Sequence, residues 1–170
     1  MEAGKTQVIS VIVENKPGVL HMIANLFRRR NFNIESITVG PSVEIDSARM
    51  TITVAGDEKT VDQVVKQLAK QIDVLKVAEL EHSHIVMREL SLIKVAVKDA
   101  KERSDIINFV EVFRGRIVDV STDSLMVEIT GTPDKIDAFL NLMRTFSILE
   151  LARTGITALG RGTKSIRIDE

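Results

Sequence analysis

Met50-Thr-Ile-Thr-Val-Ala-Gly56 and Leu125-Met-Val-Glu-Ile-Thr-Gly131 are the two stretches on which the reading of the fold turns. In the first, Met50, Ile52 and Val54 alternate with Thr51, Thr53 and Ala55, the period-two pattern of a half-buried strand. Both run into a glycine, and a helical pattern follows each. Aligned on those glycines, Asp62 falls on Asp137, and a one-residue deletion brings Val74 onto Ile148. Diverged copies of one unit behave in this way.

Working outward, each half shows the order strand, helix, strand, strand, helix, strand. In the first half, Val8 to Val13 is a β-branched run that stops at Asn15-Lys16-Pro17-Gly18. Val19, Leu20, Ile23, Leu26 and Phe27 then recur at helical spacing, and the helix ends in Arg28-Arg29-Arg30. Asn33 to Val39 and Arg49 to Val54 are predicted strands, joined by a hairpin loop over Pro41 to Ser47. Asp57 precedes a second helix with Val61, Val64, Val65, Leu68 and Ile72 on one stripe, and Val74 to Leu80 closes the half. The second half offers Leu90 to Val97, a helix carrying Ile106, Ile107, Val110 and Phe113 before a turn at Gly115, and a hairpin of Arg116 to Ser121 with Leu125 to Thr130. A helix with Ile136, Phe139, Leu140, Met143 and Phe146 follows, then Ile148 to Ala152. The predicted class is α+β, two tandem βαββαβ modules with antiparallel sheets. The boundaries are a first domain over 1–81, a linker over 82–87, a second domain over 88–153 and a tail over 154–170.

Composition narrows what such a chain can do. Hydrophobic residues make up 44% and charged residues 28%, and 23 basic against 24 acidic residues leave a net charge of −1. There is no global field to gather nucleic acid or an anionic membrane surface. The absence of cysteine removes disulfides, thiolate nucleophiles and cysteine-ligated metal centres. No apolar run approaches the ~18 residues of a membrane span, and Met1 to Lys5 lacks an apolar segment, so a cytoplasmic location is expected. Aromatics are 4%, all Phe, which leaves few rings for base stacking.

A βαββαβ module packs both helices on one sheet face. The first strand is nevertheless apolar on both faces, with Ile9, Val11 and Val13 alternating against Val8 and Ile12. Its outer face or edge is therefore expected to be buried in an oligomer, minimally a homodimer. The Asn15 to Gly18 turn delivers the chain from a strand end to a helix start, where the amides of Gly18, Val19 and Leu20 lack intrahelical partners at the positive end of the dipole. A carboxylate can seat there, with the Asn15 amide beside it. On local sequence alone an equally simple reading stands, in which Pro17-Gly18 only makes the turn and Asn15 caps the helix.

Six stretches together resemble the ACT family of amino-acid-sensing domains, and within it the small regulatory subunits of acetohydroxyacid (acetolactate) synthase. They are Val13-Glu-Asn-Lys-Pro-Gly-Val-Leu20, Phe32-Asn-Ile-Glu-Ser-Ile-Thr-Val39, Ser47-Ala-Arg-Met-Thr-Ile52, Val74-Leu-Lys-Val77, Phe113-Arg-Gly-Arg-Ile-Val-Asp119 and Ala152-Arg-Thr-Gly155. The resemblance covers nearly the whole length. It implies ferredoxin-like modules, the N-terminal one an ACT domain and the C-terminal one ACT-like. It further implies side-by-side pairing of two N-terminal modules into an eight-stranded sheet with effector sites at the interface, valine being the usual bacterial effector. By position, Asn15 and Gly18 with the Val19 and Leu20 amides would hold the amino acid, while Asn33 and Ile34 reach in from the partner. Gly18 must then stay without a side chain so that the backbone can approach the ligand. Gly40 stands where relatives often carry alanine. The partner implied is the catalytic subunit, on which thiamine diphosphate, Mg2+ and FAD are expected; no cofactor, metal or catalytic residue is expected in this chain. The resemblance implies that the chain activates that subunit and confers feedback inhibition by valine in branched-chain amino acid biosynthesis.

Other signals are weaker. His82-Ser83-His84 offers two metal ligands without a third and reads as a solvated linker. Arg28 to Arg30 complement a helix dipole and need no phosphate. Gly155-Ile-Thr-Ala-Leu-Gly160-Arg161-Gly162 has the spacing of a phosphate-binding loop, but Arg161 and Gly162 replace its Lys and its Ser or Thr, and no helical pattern follows. Glu111, Asp119, Asp123 and Glu128 read as surface charge. The second half has no Asn-x-Pro-Gly turn and is assigned to docking or oligomerisation. The alternative function is a free-standing amino-acid-responsive regulator of another protein. An RNA-binding relative of the same order would need aromatics on its central strands, which Met50 to Val54 and Ile34 to Val39 lack.

Overall fold

The computed structural model describes residues 6–163 and 165–168. It contains nine strands and four α-helices among those residues: β1 (Thr6–Glu14), α1 (Val19–Arg29), β2 (Ile34–Pro41), β3 (Ser47–Ala55), α2 (Glu58–Leu68), β4 (Val74–Leu80), β5 (Ile85–Ala96), α3 (Ala100–Val112), β6 (Arg116–Val120), β7 (Ser124–Gly131), α4 (Pro133–Met143), β8 (Ile148–Arg153) and β9 (Thr157–Gly160). The strands form antiparallel sheets ordered β2-β3-β1-β4 and β6-β7-β5-β8, with β9 paired to β5. This is the tandem α+β architecture expected from the repeated order. The chain divides into two compact units, Met1–Val86 with Ile156–Glu170, and Met87–Gly155.

In the first unit the period-two pattern sorts side chains to two faces. β1 and β3 pair from Thr6 opposite Ala55 to Glu14 opposite Ser47, so Ile9, Val11 and Val13 share a face with Ala48, Met50, Ile52 and Val54. The apolar stripes of α1 and α2 close over that face, placing Ile23, Leu26, Phe27, Val61, Val64 and Leu68 in one core. α1 ends in a left-handed cap: Asn31 has φ +55°, its amide donates to the Arg28 carbonyl, and Phe32 donates back to Phe27. The Phe27 and Phe32 rings then meet edge-on at 6.3 Å, the apolar contact that accompanies such caps.

The second unit repeats this plan, with Ile93, Val95, Leu125, Val127 and Ile129 facing Ile106, Val110, Ile136, Phe139 and Met143. The sequence alignment holds at α2 and α4, 11 residues each, whose N-caps Asp57 and Thr132 directly follow Gly56 and Gly131. Those glycines share a steric reason: a Cβ would come within 2.9 Å of Thr60 at Gly56 and 2.5 Å of Lys135 at Gly131, each four residues onward. Val74 and Ile148 also correspond, each pairing with the central strand, at Val13 and Val95, just across a bulge that leaves Leu75 or Leu149 extra in the outer strand.

Several expectations are corrected. Ile72 is not on the α2 stripe; the helix ends at Leu68 and Ile72 is 91% exposed. Phe146 lies beyond the end of α4, although it still packs against the core and Phe109. The turn expected at Gly115 is present, with Arg114 left-handed at φ +53° and Gly115 avoiding a Cβ 3.1 Å from the Glu128 carbonyl. The proposed linker 82–87 is a 3-10 turn over His82–His84 running straight into β5, and the tail contains β9. The outer face of β1 is buried within the single chain: Val8, Ser10 and Ile12 are at most 1% exposed. The tail lies on this face, since Thr38 donates to the Ile156 carbonyl at 2.9 Å and Arg49 to that of Ala158 at 3.2 Å. That face therefore gives no reason for an oligomer.

Candidate functional site

The Asn15 to Gly18 turn is tied to its neighbours at its start. The Glu14 amide donates to the Asp73 carbonyl at 3.0 Å and the Asn15 amide to the Asp46 carbonyl at 2.8 Å, tying the end of β1 to two neighbouring loops. Lys16 adds a charged clasp, its Nζ lying 2.6 Å from both Glu14 and Asp73. The Asp73 carboxylate, followed by that of Glu14, holds the Lys16 pKa well above its ordinary value. Lys16 is thus committed to the scaffold.

Gly18 is the N-cap of α1, with φ +92° and no side-chain cap. Asn15 does not cap the helix, which removes the capping half of the simpler reading of the turn. Its side chain is exposed and makes no hydrogen bond among the described residues. The Val19 amide reaches only the Lys16 carbonyl, at a long 3.5 Å, and the Gly18 and Leu20 amides have no acceptor among the described residues. A Cβ on Gly18 would meet nothing within 4 Å. The arrangement is an uncapped, glycine-lined helix start with donors facing open space, which suits a carboxylate.

The corresponding helix start in the second unit is closed. Asp99 caps α3 by accepting from the Glu102 amide at 2.8 Å, and the Glu102 carboxylate accepts from the Lys98 amide at 3.0 Å. Here the chain supplies its own carboxylates.

Asn33 and Ile34 are not brought to the turn within one chain. Ile34 pairs with Val54, which pairs with Gln7, seven residues along β1 from Glu14. At ~3.4 Å per residue this separation is about 24 Å. Sequence reasoning missed the Lys16 clasp, which depends on Asp73 arriving from a distant loop, and the Asp46 carbonyl, presented by a residue at φ +57°.

Two family models account for most of the chain. The description "AHAS small subunit-like ACT domain" matches residues 9–76, and "Small subunit of acetolactate synthase" matches residues 88–162. A "Probable acetolactate synthase small subunit" of Methanothermobacter thermautotrophicus is 55% identical over 161 residues, covering 95% of this chain and 96% of the relative. The chain belongs to the acetolactate synthase small subunit family. The family's member from Mycolicibacterium smegmatis is 46% identical over 95% of this chain and 94% of its own length. The crystal structure of the Thermotoga maritima acetolactate synthase small subunit superposes with a TM-score of 0.88 at 43% identity, covering 94% of this chain and 99% of that one. Among the described residues, no helix is long and apolar enough to cross a membrane.

The two histidines both have partners, His82 Nε2 with the Thr6 carbonyl of β1 at 2.7 Å and His84 Nδ1 with the adjacent Ser83 Oγ at 2.8 Å. The segment with phosphate-loop spacing contains β9.

Proposed function

We propose that this chain is the non-catalytic regulatory subunit of an acetolactate synthase, raising the activity of a separate catalytic chain and lowering it when a branched-chain amino acid, valine first among them, is bound. The observation that carries the reading is the contrast between the two helix starts: α3 is capped by its own Asp99 and Glu102, whereas α1 presents unpaired amides over Gly18. The α-carboxylate of an amino acid replaces what the second module supplies from its own sequence. Asn15 would hold the ligand's polar groups, and Leu20, 49% exposed, would offer an apolar surface to its side chain.

Completion of the site calls for a second copy. β2 is a terminal strand of its sheet, and Pro41 lies at the same end as the Asn15 turn while Ile34 lies at the other. Antiparallel pairing of two β2 strands would extend the sheet to eight strands and bring Asn33 and Ile34 of one copy to the end that carries Asn15 of the other. Exposed Val39, Val43 and Ile45 on and beside the β2–β3 hairpin fit a surface covered by such a partner. Effector binding at a shared site biases the dimer between two states, and coupling of ~1–3 kcal/mol suffices for ~5–150-fold regulation. The chain's own residues bind and transmit. Thiamine diphosphate, Mg2+ and FAD belong in this reading to the catalytic subunit.

Mixing the chain with the acetolactate synthase catalytic subunit of the same organism is the test. The chain should raise the rate of acetolactate formation, and valine should lower it. A rate insensitive to both would remove the proposal, and valine binding with no effect on the synthase would favour a free-standing regulator. Calorimetry with valine, leucine and isoleucine fixes the effector, because one methylene in an apolar pocket is worth only ~1–3 kcal/mol. Asn33→Ala should weaken valine several-fold while the dimer mass is unchanged; unaltered affinity would remove the partner's share in the site.

A further inference from the structure

The first unit holds a cavity of about 1050 Å³ between β4, the start of β5 and the C-terminal segment, and no residue of the Asn15 to Leu20 turn lines it. Three arginines do: Arg49 from β3, Arg161 just past β9, and Arg167. None of the three makes an ion pair among the described residues. Arg49 is half-buried. Its guanidinium donates one hydrogen bond, from Nη2 to the Ala158 carbonyl at 3.2 Å, and its Nε is buried with no acceptor. Removal from water lowers its pKa, only partly offset by Glu44. Glu44 feels Arg167 as well, but its carboxylate is engaged by the Ser42 hydroxyl at 2.6 Å. Arg161 Nε donates to the Ile85 carbonyl at 3.2 Å. Backbone carbonyls orient Arg49 and Arg161 without neutralising them; Arg161 and Arg167 are exposed, and the buried Arg49 Nε is the donor left without a partner, which is costly. Of the acids on the wall, Glu81 is engaged by Ser83 and His84, and Glu79 makes no ion pair among the described residues.

We propose that this cavity is a second ligand site, distinct from the effector turn, that takes a metabolite-sized organic anion with a phosphate or carboxylate head and an apolar body. The guanidinium fork matches both head groups bidentately. Leu80, Ile85 and Leu159 on the walls match the body, and the volume is that of a small-molecule site rather than of a bare ion. Occupation would fasten the segment that carries Arg161 and Arg167 to the outer face of the first sheet. Binding there would stabilise the tail in the position it occupies against Thr38 and Arg49.

The test uses the full chain, titrated with inorganic pyrophosphate and with octanoate at constant ionic strength, with chloride as the control, while the arginine Nε–Hε resonances are followed by NMR. A saturable shift of the Arg49 and Arg161 signals is expected, with affinity at least tenfold weaker in Arg161→Gln. The probe that saturates first identifies the head group. Should Arg49→Gln fail to fold, Arg167→Gln serves, because its guanidinium makes no hydrogen bond among the described residues. Shifts matched by chloride, absence of a shift with either probe, or affinity unchanged in both Arg161→Gln and Arg167→Gln would overturn the site. Valine affinity should be unchanged in these variants, so failure here and failure of the effector reading are separately visible.

Discussion

The two modules share an order of elements and differ in how they end their first strand. In the second, β5 passes to α3 through Lys98 and Asp99, and two carboxylates of the chain accept from the Glu102 and Lys98 amides. In the first, β1 passes to α1 through Asn15 to Gly18, and no side chain caps the helix. A duplicated fold can thus cap the helix start in one copy with its own carboxylates and leave the other uncapped. The difference lies in few residues: glycine for aspartate at the cap, and a lysine whose charge is spent on Glu14 and Asp73.

The largest effect expected from breaking this comparison falls on the capped copy. Arg153 makes a two-pronged ion pair with Glu89, 2.7 Å at each contact, and a third 2.7 Å contact with Asp137 of α4. Glu89 is 5% exposed, so Arg153→Met would strand a buried carboxylate. Removing one partner of such a pair costs ~3–5 kcal/mol, and the partial exposure of Arg153 argues for the lower end, about 3 kcal/mol. Urea unfolding should show that loss, and Glu89→Gln in the same background should recover part of it. A loss below ~0.5 kcal/mol would mean that the second unit does not depend on the pair.

Next comes Gly18→Asp, which gives the uncapped copy a carboxylate of its own. At φ +92° an L-residue costs ~1–2 kcal/mol, a cost aspartate bears better than most, so the fold should survive. Valine affinity should fall at least tenfold by calorimetry, about 1.4 kcal/mol, because the new carboxylate occupies and repels. Wild-type affinity would sink the assignment of the helix start. The reciprocal change, Asp99→Ala, should cost about 1 kcal/mol of stability and leave valine at one equivalent per chain. A second equivalent would show that position in the fold, rather than the Asn15 turn, selects the ligand.

What the residues disclosed in advance follows the same division. Strand and helix periodicities, and the register joining Gly56 to Gly131, were legible because they are local and repeated. The Ile72 stripe misled because helical spacing continued by chance past Leu68, where the Gln71 amide donates to the Leu68 carbonyl and turns the chain. β9 has only four residues and no period long enough to read, and its place against the first sheet depends on Thr38 and Arg49 more than one hundred positions earlier. The turn was visible as Asn15 to Gly18, but its openness was not, since that rests on Asn15 failing to cap. Asn33 stands outside any single-chain account, because the fold holds it at the far end of β2.

The smallest expected effect separates capping from charge. Asp57 caps α2 by accepting from the Thr60 hydroxyl at 2.6 Å and from the Thr60 amide at 2.8 Å, bonds that lower its pKa below the ordinary value of 3.8. A carboxylate with a lowered folded pKa stabilises fully above its unfolded value, and that contribution disappears as pH falls through the folded one. Asp57 therefore contributes a small acid-side loss of stability, confined to pH values below about 4. An asparagine side chain at this position would keep the acceptor without the charge, so Asp57→Asn should leave stability near pH 7 almost unchanged and flatten the acid-side slope. If thermal melts at pH 3 and pH 7 show the same slope in both proteins, the Asp57 charge adds nothing to stability, and α2 owes its start to a neutral cap and the packing of Val61.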